Sequence, residues 1–504
     1  MKYKNPIIPG FYPDPSICKK DGIYYLVNSS FEYFPGVPIF KSTDLVNWEQ
    51  IGNCLTRKSQ FDLKGVKCSG GIFAPTIRYY NGLFYMITTC VSDKGLKNFY
   101  VYTNNPENEW SDPIYIEIEG IDPSFFWEDG RSFVQYSYSG KIFQVEIELS
   151  TGEVIEGPHI ITKGCGGRDT EGPHMFQKDG FYYLILAEGG TREGHMVTMM
   201  RGKSLWGPFE PSPYNPVVSN KDKSKEVLQC IGHADLICDE NNNSYLVTLG
   251  TRQYKHRTIL GRETMLTPAY WTDDGWLKVE NGYITLENEI SYDGQQEEDK
   301  SITIDMNSGK LPFEVIAPRY LNYDNIKFLN GAMYIKGNNH TLDETDECMI
   351  ISVRQTEYEF EMSSKVSFYP NNSKEESGLV IMIDNYHHMS LFISKRNSED
   401  VLILRKRVAD IINEEIYHLN RDNKGFIELF IKGSKEKYYF GYVEQKGQII
   451  FVGESFTKHL SSEACFSPFT GVVGGIYAIG NNKSCIKKFI VTSNRNTNML
   501  TKII

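Results

Sequence analysis

The chain has 504 residues, more than one hydrophobic core usually serves, so we expect two or more domains. Its apolar share of 40% and charged share of 23% are those of a soluble globular protein. The net charge of −11 argues against a surface that binds nucleic acid.

The amino-terminal segment and the cysteines indicate where the protein works. No apolar stretch of the signal-peptide type follows Met1, and no window approaches the roughly 18 apolar residues of a membrane helix. The ten cysteines are scattered without a CxxC pair, a pattern typical of reduced thiols. We therefore expect a cytoplasmic protein that does not span a membrane.

Five similar segments recur along the first half of the chain, beginning at Asp14, Ala74, Asp122, Gly172 and Ala234. Seven residues after its start, each segment has Asp or Asn, and in four of the five a Gly follows. Eleven residues after its start, each has an aromatic residue. Because Asp-Gly and Asn-Gly between apolar runs are the strongest short-range hairpin signal, each segment is predicted to be a β-hairpin.

The spacing of these segments indicates how the hairpins assemble. They start 48 to 62 residues apart, which leaves room for about four strands in each unit. Five such units in tandem predict a five-bladed β-propeller over residues 1–300, with the first strand of each unit lining a central channel. An open series of hairpins in a β-sandwich is the alternative, and the even spacing favours the propeller.

Three acids fall at corresponding places in this repeat. Asp14 and Asp122 occupy the start position, and Glu171 precedes the start by one residue, an offset that requires a bulge or a different entry angle. Acids that meet in one site repel unless one is protonated, a cation is bound or they do chemical work. Two carboxyl groups in different environments are what glycoside hydrolysis requires. The alternative is that the two Asp-Pro-Ser sequences only cap turns.

The repeat ends after residue 276, and a polar stretch follows to about residue 310. Alternating stretches such as "YEFEMSSKVSFY" and "DVLILRKRV" then resume, separated by Gly, Asn and Lys turns. This pattern predicts an antiparallel β-sandwich over residues 310–504, so the whole chain is expected to be all-β.

Several long motifs carry a family resemblance. "PGFYPDPSI", "GIDPSFFWEDG" and "EGPHMFQKDGFYYLILAEGG" resemble the three acid motifs of glycoside hydrolase family 43, and "SSFEYFPG" and "LGRETMLTPAYW" are similar to its two-domain β-xylosidases. The resemblance implies that Asp14 is the general base, that Glu171 is the general acid, and that Asp122 tunes and positions Glu171. It also implies inversion at the anomeric carbon, for which carboxylates are typically about 6.5–9.5 Å apart.

The same resemblance implies a set of sugar contacts. Arg262 matches an arginine that contacts the sugar; the alternative is that Arg262 only forms an ion pair with Glu263 at the surface. Phe31 matches an aromatic wall of the sugar subsite, and Phe73 stands where many relatives have Trp. A loop of the sandwich, "FSPFTGVVGG", is similar to one that narrows the pocket, with Phe466 or Phe469 as its aromatic residue.

His233 is the one candidate metal ligand. It lies in "IGHADL" beside the start of the fifth unit, where the resemblance implies a residue that contacts the sugar or supports Ca²⁺ or another divalent cation near the acids. An ordinary hydrogen-bonded histidine is the alternative. No cofactor is expected to be required.

The resemblance carried by these residues implies an exo-acting, inverting β-D-xylosidase that releases xylose from the non-reducing ends of β-1,4-xylooligosaccharides. An α-L-arabinofuranosidase, or an enzyme with both activities on arabinosyl-substituted oligosaccharides, is the first alternative, because Phe73 leaves the sugar preference open. A propeller that binds carbohydrate without cleaving it is the alternative from another class. Relatives often assemble as dimers or tetramers, so a homo-oligomer is expected.

Overall fold

The computed structural model describes residues 1–297, 300–419, 421–444, 447–465 and 469–494. Within these ranges the regular structure is β-strand, apart from two 3₁₀ segments at Tyr323–Asn325 and Thr457–Leu460. None of the helices found there is long and apolar enough to cross a membrane. The predicted all-β fold is therefore confirmed.

Five antiparallel sheets follow one another along the first 278 residues. The first sheet contains Ser16–Lys20, Ile23–Val27, Gly36–Ser42 and Glu49–Leu55. The second contains Gly71–Ile72, Thr76–Tyr80, Leu83–Ser92, Gly95–Thr103 and Ile114–Ile116. The third contains Ile121–Glu128, Arg131–Tyr138, Lys141–Ile147 and Val154–Thr162. The fourth contains Glu171–Lys178, Phe181–Glu188, Met196–Gly202 and Phe209–Pro211, and the fifth contains Leu228–Cys238, Ser244–Arg252, Glu263–Trp271 and Leu277–Lys278.

The inner strands of these sheets contact one another in cyclic order. Ser16–Lys20 lies against Thr76–Tyr80, and the contacts continue through Ile121–Glu128 and Glu171–Lys178 to Leu228–Cys238, which returns to Ser16–Lys20. A ring of sheets around a shared axis is the arrangement of a β-propeller. Residues that are far apart in the sequence are thereby brought together where the inner strands begin.

The hairpins that join the first two strands of each sheet follow the turn chemistry of the sequence. In the first four sheets the turn residues Asp21, Asn81, Asp129 and Asp179 have φ between 46° and 50°, and each following Gly has a positive φ as well. Two consecutive positive φ angles define the type I′ turn, which suits the twist of paired strands. The predicted hairpins are confirmed at these four positions.

The carboxy-terminal part forms two antiparallel sheets that face each other. In pairing order, the first contains Ile326–Leu329, Ala332–Lys336, Lys483–Ser493, Phe360–Ser367, Ile427–Gly433, Lys437–Val443 and Ile449–Phe456, and Lys300–Thr303 also pairs with Lys483–Ser493. The second contains Met349–Arg354, Val473–Ile479, Glu376–Asp384, His387–Arg396, Glu399–Val408 and Ile411–His418. The predicted antiparallel β-sandwich is confirmed.

The propeller and the sandwich are in direct contact. Tyr33–Phe34 of the propeller pairs with Ala317–Pro318, which leads into the sandwich. The pairing of Lys2–Lys4 with Glu287–Glu289 lies within the propeller part. One continuous group of buried apolar side chains extends from the first two propeller sheets into both sandwich sheets. Because the interface is apolar and extensive, the sandwich is held in a fixed position beside the end of the propeller that carries Phe31.

Candidate active site

Five titratable or charged side chains meet where the inner strands begin. Arg262 Nη1 lies 3.1 Å from Asp14 Oδ1, and His233 Nδ1 lies 3.9 Å from the same oxygen. Ligand atoms of Asp122, Glu171 and His233 all lie within 4.8 Å of one another. The three acids singled out in the sequence therefore share one site.

Local irregularities in the inner strands aim these side chains. The register of the inner strand shifts in the third, fourth and fifth sheets, and Asp122, Gly172 and His233 lie at these shifts with φ of 56°, 57° and 48°. Such bulges redirect side chains and are frequent next to active sites. Glu171 directly precedes its bulge, which explains its offset of one residue. In the fifth sheet His233, not Ala234, corresponds to Asp122, so our alignment of that unit is wrong by one residue here.

Gly172 lets the groups on either side of it approach closely. A Cβ atom at this position would lie 3.0 Å from Cε1 of His233. The backbone N–H of Gly172 donates a hydrogen bond of 3.0 Å to Asp122 Oδ2. Since a side chain here would displace the imidazole, glycine is what allows Asp122, Glu171 and His233 to converge.

Asp14 is held in its ionised form. Burial opposes ionisation, but the Arg262 guanidinium and His233 outweigh it, so the pKa of Asp14 lies below its ordinary value. Ser29 contributes by donating a hydrogen bond of 2.6 Å from its hydroxyl to Asp14 Oδ2. A carboxylate in this state can accept a proton from water at neutral pH.

Asp122 and Glu171 are in the opposite state. Burial, together with the charge of Asp14, raises the pKa of Glu171 to about 7. Burial and the nearby Glu171 raise the pKa of Asp122 well above its ordinary value. Because the two groups interact, they titrate as a pair, and the pair retains protons that isolated carboxyl groups would lose at neutral pH.

Three phenylalanines form an aromatic wall beside the acids. The ring centroid of Phe31 lies 5.5 Å from that of Phe73 and 5.7 Å from that of Phe469. The Arg262 guanidinium lies 5.0 Å from the Phe469 centroid and 5.5 Å from that of Phe31. Phe469 belongs to the sandwich, so the structure brings one of the two candidate loop residues to the propeller site. The other, Phe466, lies outside the described residues.

Comparison with known sequences gives the family. The family model "Glycosyl hydrolases family 43" matches residues 3–277, and "Beta xylosidase C-terminal Concanavalin A-like domain" matches residues 307–488. The chain belongs to glycoside hydrolase family 43. It is therefore an enzyme that hydrolyses glycosidic bonds, and the resemblance read from its motifs is confirmed. The domain limits of 1–300 and 310–504 stay predictions.

Several relatives of this family 43 hydrolase are named as arabinofuranosidases or xylosidases. The chain is 35% identical to the "Non-reducing end alpha-L-arabinofuranosidase BoGH43B" of Bacteroides ovatus, with 96% of this chain and 92% of the relative covered. It is 35% identical to a "Xylosidase/arabinosidase" of Butyrivibrio fibrisolvens, with 95% and 96% covered. A solved xylan beta-1,4-xylosidase from Bacillus halodurans superposes with a TM-score of 0.91 at 29% identity, covering 97% of this chain and all of that one.

The ion pairs of the hydrolase exclude the alternative that Arg262 forms a surface pair with Glu263. Glu263 does not pair with its neighbour at the surface, because it is buried and binds Arg252 through two hydrogen bonds of 2.8 Å. Arg262 is buried as well and directs Nη1 to Asp14 and to the Thr191 hydroxyl, 3.2 Å away. The arginine therefore lies in the acid site.

Beneath the acids lies a second polar layer, and our sequence reasoning missed the ion pair at its centre, between Arg78 and Asp235. Asp235 accepts two hydrogen bonds from Arg78, of 2.7 and 3.1 Å, and one of 2.8 Å from Ser16. Arg78 also contacts His174 Nδ1 at 3.0 Å, and burial lowers the pKa of His174 to about 3. All four residues lie in the recurring segments of the sequence, but nothing in the repeat indicated that Arg78 pairs with Asp235, because the two are 157 residues apart.

The candidate metal site at His233 is only partly suited to an ion. Asp122, Glu171 and His233 offer three ligand atoms, whereas Ca²⁺ takes about six to eight oxygen ligands. The Arg262 guanidinium beside Asp14 already supplies positive charge close to this cluster. We therefore assign no chemical step to a metal, and a divalent ion at His233 stays a prediction.

Proposed function

We propose that this family 43 hydrolase is an exo-acting, inverting enzyme that removes single pentose residues from non-reducing ends, with β-D-xylosyl groups of xylooligosaccharides as its substrate. The observation that carries the proposal is the division of charge among the acids. Asp14 is ionised beside Arg262, while the Asp122–Glu171 pair retains protons. An inverting glycosidase needs one carboxylate that activates water and one carboxylic acid that protonates the leaving oxygen.

In this mechanism each acid has its own task. Asp14 removes a proton from the water that attacks the anomeric carbon. Glu171 donates its proton to the glycosidic oxygen as the bond breaks, and its pKa of about 7 keeps a large protonated fraction at neutral pH. Asp122 positions Glu171 and holds the second proton of the pair. Arg262 offsets the charge of Asp14 and faces the sugar.

The aromatic wall supports exo action on a small sugar. Phe31, Phe73 and Phe469 line one side of the acid site, and Phe469 comes from the sandwich. A pocket that is closed by a second domain suits a terminal residue better than the middle of a polymer. We propose that the five sheets are the five blades of the propeller and that their axis carries this pocket.

An α-L-arabinofuranosidase, alone or together with xylosidase activity, is the second candidate. The names of the relatives from Bacteroides ovatus and Butyrivibrio fibrisolvens support it as well as the xylosidase. We also propose that the protein works in the cytoplasm, a location that suits its ten scattered cysteines, which form no CxxC pair.

A panel of two substrates tests the proposal. The purified chain is incubated with 4-nitrophenyl β-D-xylopyranoside and with 4-nitrophenyl α-L-arabinofuranoside, and kcat/KM is measured for each. A higher value on the xyloside supports the xylosidase, and a higher value on the arabinofuranoside supports the second candidate. Binding of either glycoside without release of 4-nitrophenol would favour a propeller that binds carbohydrate without cleaving it, and would refute the proposed activity.

Stereochemistry provides a second test. Proton NMR during the first minutes of xylobiose hydrolysis should detect α-xylose before mutarotation, because inversion converts the β linkage into the α anomer. A β anomer as the first product would exclude the roles given to Asp14 and Glu171. Asp14→Asn serves as the control: it should release no xylose, and its thermal unfolding midpoint should equal that of the wild type.

A further inference from the structure

The backbone of Phe469 is held by the propeller. Phe469 belongs to a loop of the sandwich, yet its N–H donates a hydrogen bond of 3.2 Å to the hydroxyl of Ser69. Its ring lies nearly parallel to that of Phe31, with an interplanar angle of 29°. The position of this ring, and therefore the shape of the aromatic wall, depends on where Ser69 is held.

Ser69 is in turn fixed by a buried carboxylate. Its N–H donates a hydrogen bond of 3.0 Å to Glu32 Oε2. Glu32 is 1% exposed and directly follows Phe31 in the chain. Glu32 is therefore bonded covalently to Phe31 and hydrogen-bonded, through the Ser69 N–H, to the residue that holds Phe469. Phe31 and Ser69 both have left-handed backbones, with φ of 51° and 61°, which persist only where neighbouring contacts enforce them.

Glu32 has charged and polar neighbours on several elements. The N–H of Arg319 donates a hydrogen bond of 2.6 Å to the carbonyl oxygen of Glu32. The Arg319 guanidinium donates to the Val66 carbonyl at 2.9 Å and contacts Cys68 Sγ at 3.6 Å, so it is fixed on the loop that leads to Ser69. Burial raises the pKa of Glu32 to about 7, although the positive charge of Arg319 opposes this rise.

We propose that Glu32 is a positioning residue that sets affinity for the terminal sugar by holding Phe469, through Ser69, against Phe31 and beside Arg262. The effect on sugar affinity rests on the proposed function. Glu32 does not touch the acids, so it acts on the shape of the sugar subsite and not on proton transfer. Ser69 and Arg319 complete the connection, and together with Glu32 they form what we call the Glu32 brace.

The proposal predicts a specific kinetic pattern for variants of the brace. Ser69→Ala removes the acceptor of the Phe469 N–H and should raise KM about three- to tenfold, since one hydrogen bond of this kind is lost. Glu32→Ala should raise KM about tenfold or more, and kcat should stay within about twofold in both variants. Glu32→Gln should restore most of the affinity, because its amide oxygen can still accept from the Ser69 N–H.

A double-mutant cycle separates positioning from a general effect on folding. Phe469→Ala should raise KM by itself, and adding Glu32→Ala or Ser69→Ala to it should change KM by less than about twofold, because the ring they position is gone. Multiplicative effects in the double variants would overturn the proposal. Equal KM values in wild type, Glu32→Ala and Ser69→Ala would overturn it as well.

A control variant reports on the domain interface alone. Glu357 is also buried there and joins the sandwich to Arg252 of the propeller at 2.6 Å. Glu357→Gln should lower the thermal unfolding midpoint and leave KM unchanged. If the brace variants behave in the same way, Glu32 serves only the fold.

Amide hydrogen exchange decides the matter without any substrate. In Glu32→Ala and Ser69→Ala, the peptide that contains Phe469 should exchange faster than in wild type, and in Glu357→Gln it should not. If wild type cleaves neither aryl glycoside, the proposed function fails while this measurement still tests the brace. Unchanged exchange at Phe469 in both brace variants would refute the brace itself.

Discussion

The substitution Glu171→Gln tests the division of labour among the acids. With its pKa raised to about 7 from the ordinary value of 4.5, Glu171 is about half protonated at pH 7, whereas an ordinary glutamate would be only about 0.3% protonated. The site therefore supplies roughly 160-fold more of the proton donor at neutral pH. A glutamine at this position cannot donate a proton, and general acid catalysis typically contributes about 10²–10⁴-fold.

The leaving group provides the assay. On xylobiose, whose leaving sugar requires protonation, Glu171→Gln should lower kcat/KM by about 10²–10⁴-fold. On an aryl xyloside with a dinitrophenyl leaving group the loss should be much smaller, because that phenolate leaves without a proton. Asp14→Asn, in contrast, should be equally impaired on both substrates, since the attacking water needs its base in either case.

The pH profile checks the same assignment. In wild type, kcat/KM should fall as the pH rises above about 7, because the acid form of the Asp122–Glu171 pair is lost in that direction. That limb should be absent for Glu171→Gln on the dinitrophenyl substrate. Equal loss on both substrates, or activity that increases above pH 7 in wild type, would refute the role of Glu171 as acid.

Three further predictions concern charge at the site and at the domain interface. Arg262→Gln removes the guanidinium that keeps the pKa of Asp14 low, so the acidic limb of the kcat/KM profile should move to higher pH; an unmoved limb would show that the base is another group. Arg252→Leu leaves the buried Glu263 and Glu357 without their cation and should lower the free energy of unfolding by about 3–5 kcal/mol. Urea denaturation measures this loss, and kcat on an aryl glycoside is the control. Dialysis against EDTA should leave kcat unchanged, and a loss that added Ca²⁺ reverses would instead support the predicted ion at His233.

Local chemistry explains why much of the propeller could be predicted. The Asp-Gly and Asn-Gly turns encode hairpins through backbone preferences that depend on two adjacent residues, and four of these turns have the expected positive φ angles. Even spacing of the hairpins then indicated a ring. The fifth unit was misaligned by one residue, because its turn between the paired residues Cys238 and Ser244 has one residue more than the corresponding turns of the third and fourth sheets.

The sequence by itself determined the strand pattern, the two all-β parts and the acids of the three motifs, because turn preference and side-chain alternation act between neighbouring residues. Only the tertiary structure decided that Arg262 pairs with Asp14 while Glu263 pairs with Arg252, and that Arg78 and Asp235 lie beneath the acids. It also decided that Phe469, and not only Phe31 and Phe73, belongs to the aromatic wall, and that Ser69 links Phe469 to Glu32. Apart from the Arg252–Glu263 pair, which lies on adjacent strands of the fifth sheet, each of these contacts joins residues that are distant in the sequence. Closure of the ring and docking of the sandwich bring those residues together.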